Sequence, residues 1–144
     1  MTILVDANLL IYAYNRAATQ HETAKDWLEA RLAGHEPIGL PWPSLLAFLR
    51  IVTHPRLFPT AVLALDAWKQ IANWLSSDVA WIPVPSERHV DILGQFLALP
   101  SIRANLVPDA HLAALAIEHG LILCSTDGDF ARFPGLRWEN PLAT

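Results

Sequence analysis

The sequence predicts an α/β fold with a mainly parallel central sheet covered by helices on both faces. Three observations carry this expectation. Short, uninterrupted apolar runs at residues 2–5 and 121–124 have the length and composition of strands buried on both sides. Segments with helical periodicity separate the candidate strands, so strand and helix alternate along the chain. The 144 residues, 53% of them hydrophobic, suffice for one domain with a substantial core, 1–144, and no internal repeat or low-complexity segment divides them.

Thr-Ile-Leu-Val, 2–5, reads as the first strand and ends at Asp6. Asp-Ala-Asn then turns into the apolar run 9–14, a short helix. Ligands of open α/β sheets bind at the carboxyl ends of the strands, which makes Asp6 a functional candidate; the competing role is a helix N-cap. Asn8 either orients Asp6 or caps the helix. His21 to Leu32 is an amphipathic helix with Ala24, Trp27, Leu28 and Leu32 on one face and Gly34 as its stop.

Residues 37–41 form a second strand, and Trp42, Pro43 and Ser44 open a helix toward Thr53, with Pro43 suited to its first position. Arg50 and Arg56 flank this helix and are available to an anionic substrate, although solvation is the commoner fate of an arginine. After a proline-punctuated loop at 54–59, Thr60 is expected to cap a long helix with Val62, Leu65, Trp68, Ala72 and Leu75 as its apolar stripe. Its spacing favours packing over a partner surface for Trp68 and Trp74. Residues 81–84 suit an edge strand because of Pro83, and Ser86 caps a helix through Val90, Leu93 and Leu97.

The most informative stretch runs from Pro108 to Phe130. Pro108 opens a helix, Asp109 sits in its first turn, and Gly120 ends it before the strand 121–124. Eleven helical residues carry the chain ~16 Å out and five extended residues bring it back about as far, so Asp109 and Asp127 return to one edge. Singly, each has an ordinary explanation as a helix-start carboxylate or a turn residue. Their coincidence weakens both. Residues 130–139 then hold a short helical turn, a Pro-Gly turn and a last strand.

A net charge of −4 and a pI near 5.8 argue against a broad nucleic-acid-binding face, but carboxylates that hold a metal also make a chain acidic. With two lysines against eight arginines, phosphate contacts would fall to arginine. The single cysteine, Cys124, is expected as a packed thiol without a role. No apolar run approaches the ~20 residues of a membrane span, and the first residues lack a signal-peptide pattern, so a cytoplasmic location without membrane contact is expected.

If strands 2–5 and 121–124 are parallel neighbours, Asp6, Asp109 and Asp127 meet at one carboxyl edge with Asp129 close by. Such a cluster is tolerable around a divalent cation, and an all-oxygen donor set favours Mg²⁺ or Mn²⁺ over zinc. Magnesium at an acidic site suits phosphodiester hydrolysis. No G-x-x-x-x-G-K-[ST] loop is present, and the Asp-Ala-Asn turn lacks the second carboxylate of an aspartyl-phosphate mechanism. A small-molecule phosphatase is the least favoured reading. His111 and His119 read as surface or supporting groups rather than general bases.

Asp6 with Asn8, Asp-Ala-His-Leu-Ala-Ala-Leu-Ala at 109–116, and Ser-Thr-Asp-Gly-Asp-Phe at 125–130 resemble the PIN-domain ribonucleases, specifically the VapC toxins of bacterial VapBC toxin-antitoxin pairs. Leu-Pro-Trp at 40–42, Ala-Phe-Leu-Arg at 47–50 and residues 135–142 resemble a subgroup abundant in mycobacteria. The resemblance spans about the whole chain and implies a PIN-like three-layer sandwich. It also implies a magnesium-dependent endoribonuclease acting on RNA, held inactive by a VapB-like antitoxin and working as a homodimer. By motif, Asp6, Asp109 and Asp127 would be metal ligands, Asp129 an auxiliary acid, and Ser125 a residue orienting a ligand or water.

One departure stands out: Phe48 occupies the position where this family usually carries a glutamate, and no carboxylate lies between Ile38 and Ala64. Three outcomes follow from the sequence: a site of three or four aspartates, a reduced metal affinity, or Glu36 approaching from the preceding loop. A weakened PIN domain that only binds protein or RNA is the rival reading. Trp42 and Arg103 are the exposed residues offered for RNA contact, without a motif to support either.

Overall fold

A computed structural model describes residues 1–143. Its elements alternate as expected: β1 (Ile3–Val5), α1 (Ala7–Tyr14), α2 (His21–Leu32), β2 (Ile38–Gly39), α3 (Trp42–Val52), α4 (Ala64–Leu75), β3 (Ala80–Trp81), α5 (His89–Leu97), α6 (Leu106–Glu118), β4 (Ile122–Cys124), a 3-10 turn (Gly128–Arg132) and β5 (Trp138–Glu139). Among the described residues the strands form one sheet in the order β3-β2-β1-β4-β5, and every neighbouring pair is parallel.

The period of two along each strand sorts the core into two layers. Ile3, Val5, Ile122 and Cys124 face a cluster built from α1 to α4, including Leu9, Leu28, Phe48 and Ile71. Leu4 and Leu123 face the other cluster, built from α5 and α6 with Phe96, Leu112 and Leu115. This is a three-layer α/β sandwich. In β2, Gly39 is needed for contact: a Cβ there would stand 2.8 Å from the Pro83 ring. Gly120, at φ +68°, ends α6 in the left-handed conformation that glycine adopts without penalty.

Several boundaries differ from the sequence expectation. α4 starts at Ala64, not at Thr60, because Val62 N–H donates to Val52 O and ties this segment back to the end of α3. The buried face of α4 is Ala67, Ile71 and Trp74, whereas Leu65 and Trp68 of the expected stripe are 63% and 42% exposed. Small Ala67 carries little hydrophobic signal, so the bulkier outward residues dominated the pattern. Trp68 stacks instead on Trp42, with centroids 6.3 Å apart and planes 3° from parallel, while Trp74 sits edge-on to Phe48 in the core.

The edge strand is β3 at 80–81, and α5 starts at His89; Ser86 shapes the turn before α5, its hydroxyl accepting from Arg88 N–H, rather than capping the helix. α3 begins at Trp42, which puts Pro43 second. α6 begins at Leu106, so Pro108 is its third residue, still within the first turn where no intrahelical N–H is required.

Candidate active site

The register of the two central strands builds the site. Val5 pairs with Cys124, so Asp6 and Ser125 leave the sheet side by side at its carboxyl edge, and Asp6 N–H donates to Cys124 O at 3.0 Å. This lies between β1 and β4, where the strand order reverses, the position at which open α/β sheets leave a crevice.

Ser125 is fully buried and ties the loops together. Its hydroxyl donates to Asp6 Oδ2 at 2.7 Å and accepts from Asn8 Nδ2 and from Asp127 N–H, each at 3.0 Å. Asp6 Oδ1 meanwhile accepts from Ala7 N–H at 2.8 Å, so the residue caps α1 with one oxygen and is oriented by Ser125 through the other. Asn8 does not cap the helix. Trp138 was missed from sequence: its indole N–H donates to Ser125 O at 3.0 Å and secures the hub from β5. The sequence signals only its place in a terminal strand.

α6 delivers Asp109 to this edge, half-buried in the first turn. Burial raises its pKa to about 7, and repulsion from Asp6, Asp127 and Asp129 adds to the effect. Asp6 is raised as well, because burial outweighs its hydrogen bonds to Ser125 and Ala7, with Asp127 contributing repulsion. The four aspartates therefore share one field. Asp127 accepts from Asp129 N–H at 2.9 Å and so opens the 3-10 turn; Asp129 is exposed and paired with Arg132 at 3.3 Å.

The donor set fits a hard divalent cation. Its acceptors are carboxylate and amide oxygens, its charges repel, and Asn8 Oδ1 is buried without a hydrogen-bond partner. As the side chains stand, no three His, Cys, Asp or Glu residues among those described converge tightly enough to enclose an ion.

Residues outside the cluster are equally clear. Glu36 pairs with the amino terminus and, at 3.9 Å, with Arg31 before β2, at the opposite end of the strands, so it does not approach the aspartates. Phe48 is buried in the core and α3 offers no carboxylate. Arg50, Arg56 and Arg103 are solvent-exposed. His119 Nε2 is 2.7 Å from Val84 O, and His111 pairs with His89, away from the acids. Burial pushes the Cys124 thiol up to about 12, which leaves it inert.

A raised carboxylate pKa has a measurable consequence in metal-free protein. The native state binds more protons than the unfolded chain between the ordinary value of 3.8 and about 7, so the contribution of Asp109 to stability falls as pH rises through that window. In excess chelator, Asp109→Asn should melt progressively higher relative to the parent as pH is raised from 4.5 to 7.5. A difference independent of pH would show that Asp109 is not held in the field described.

A strand-order reversal flanked by clustered aspartates on a parallel five-stranded sheet defines the class of the protein, and the PIN domain model matches residues 3–136. The chain belongs to the PIN domain family. Within it, the chain is similar to VapC proteins: it is 44% identical over 140 residues to Ribonuclease VapC37 of Mycobacterium tuberculosis, covering 97% of both chains, and 37% identical to Ribonuclease VapC33 of the same organism, covering 97% and 98%. The fold is shared with VapBC2 from Rickettsia felis, solved bound to a promoter DNA fragment (TM-score 0.69, 21% identity, 97% and 98% covered). It is shared too with Mycobacterium tuberculosis VapC20, a Sarcin-Ricin loop cleaving toxin (TM-score 0.66, 18% identity, 94% and 98% covered).

Proposed function

We propose that this chain is a Mg²⁺- or Mn²⁺-dependent endoribonuclease, the toxin of a type II toxin-antitoxin pair, restrained by a VapB-like antitoxin and working as a cytoplasmic homodimer. The single observation that carries the reading is the meeting at one sheet edge of Asp6 and Asp127, both hydrogen-bonded to the buried Ser125, with Asp109 from the first turn of α6, which couples their charges. Unrelieved, that coupling disfavours folding. A bound cation relieves it.

Asp6, Asp109 and Asp127 would hold the ion, which when bound supplies Lewis acidity toward a phosphodiester and toward water. Ser125 holds Asp6 in one orientation, Asn8 donates to the same hydroxyl and steadies it, and exposed Asp129 adds negative charge at the rim. Relatives named as ribonucleases and a structural neighbour solved as a VapBC complex support the activity and the partner class.

The rival, an inert PIN domain that binds without cutting, draws on Phe48 in place of a carboxylate. Incubation of the purified chain with total RNA separates the two. Cleavage is expected with Mg²⁺ or Mn²⁺ and is expected to cease in excess chelator; cleavage that persists without metal, or none under any metal, overturns the proposal.

A further inference from the structure

Between α5 and α6 lies a chain of side chains that the proposed chemistry does not use. His89 Nδ1 is 2.6 Å from Glu118 Oε2, and His89 Nε2 is 3.1 Å from His111 Nδ1. The Glu118 side chain is fully buried and also accepts from Ser86 N–H, which fixes it as an acceptor. With Glu118 taking the Nδ1 proton, His89 turns the lone pair of Nε2 toward His111. This is how a carboxylate orients a metal-ligating imidazole.

Two nitrogens bound to one tetrahedral Zn²⁺ at about 2.0–2.1 Å stand roughly 3.3 Å apart. The observed 3.1 Å is close to that separation, so with the His111 proton moved from Nδ1 to Nε2 a small rotation of the rings aims both lone pairs at one ion. We propose that His89 and His111 form a two-histidine site for a borderline divalent transition ion of the Zn²⁺ and Cu²⁺ class, oriented by Glu118. No third histidine, cysteine or carboxylate among the described residues completes a set, and His111 is only partly buried, so water fills the remaining positions.

Donor chemistry separates this site from the aspartates, since imidazole suits zinc and copper while carboxylates suit magnesium and manganese. Geometry does so too: two residues along α6 is a rotation of about 200°, which puts His111 on the side of the helix away from Asp109. An ion there ties the first turn of α5 to the middle of α6. The inference stands whether or not the chain cleaves RNA.

The test uses the full chain in excess Mg²⁺, with Zn²⁺ followed by thermal melting and Cu²⁺ by electron paramagnetic resonance. Zn²⁺ is expected to raise Tm and Cu²⁺ to show coupling to two imidazole nitrogens. His111→Ala should lose the rise and one nitrogen, Glu118→Gln should weaken Zn²⁺ about tenfold or more, and His54→Ala, in the loop after α3, should change neither. No rise in the parent, or an unchanged rise and nitrogen count in His111→Ala, overturns the site. Should that variant not fold, imidazole ¹⁵N shifts of the parent on Zn²⁺ addition decide: perturbation of His89 and His111 supports the site, and perturbation of other histidines instead rejects it.

Discussion

Asp109→Asn is expected to lower RNA cleavage by more than about a hundredfold while leaving the fold intact, since losing a group that merely orients a metal ligand already costs 10–100-fold. The substitution keeps the shape of the side chain and removes its charge. In the metal-free protein that charge is unfavourable, because burial and three neighbouring aspartates raise the pKa to about 7. The variant should therefore melt at or above the parent in chelator at pH 8, and lack the rise in Tm that Mg²⁺ is expected to give the parent. Single-turnover cleavage of RNA and melting curves with and without Mg²⁺ measure both. Undiminished cleavage would remove Asp109 from the site; a fall in activity accompanied by a lower Tm would mean that the residue serves the fold.

The meeting of Asp109 with Asp6 at one edge follows from the lengths of a helix and a strand. Parallel neighbours at residues 2–5 and 121–124 carry Asp6 and Ser125 to one edge, and the observed Val5–Cys124 register does so. Strand-helix alternation was equally readable, since buried strands and helix stops such as Gly120 are local signals. Other features depended on contacts between distant segments. The true start of α4 depends on Val62 reaching back to Val52, and the role of Trp138 depends on its indole meeting a carbonyl thirteen residues upstream. Nothing in the local pattern of either segment encodes those meetings. The outward turn of Trp68 belongs with them, since alanine at 67 hid the face that packs.

Phe48 raises the sharper question, and its expected behaviour is that of a core residue. It is fully buried, edge-on to Tyr14 at 5.3 Å and to Trp74 at 5.0 Å, within the layer that joins α1, α3 and α4. Phe48→Ala should cost about 3–5 kcal/mol, a fall in Tm of roughly 10–20 °C for a chain of this size. Phe48→Glu, which installs a carboxylate on α3, should be at least as damaging, because an ionised carboxylate would lie among aromatic rings without a partner. It should not tighten Mg²⁺ binding, since this position belongs to the packed layer and not to the crevice beside Ser125. Melting curves and Mg²⁺ titration of the two variants decide the matter. A stable Phe48→Glu protein with stronger Mg²⁺ binding would mean that α3 can rotate its side chain into the acidic edge, and that the three-aspartate site is an incomplete form of a four-acid one.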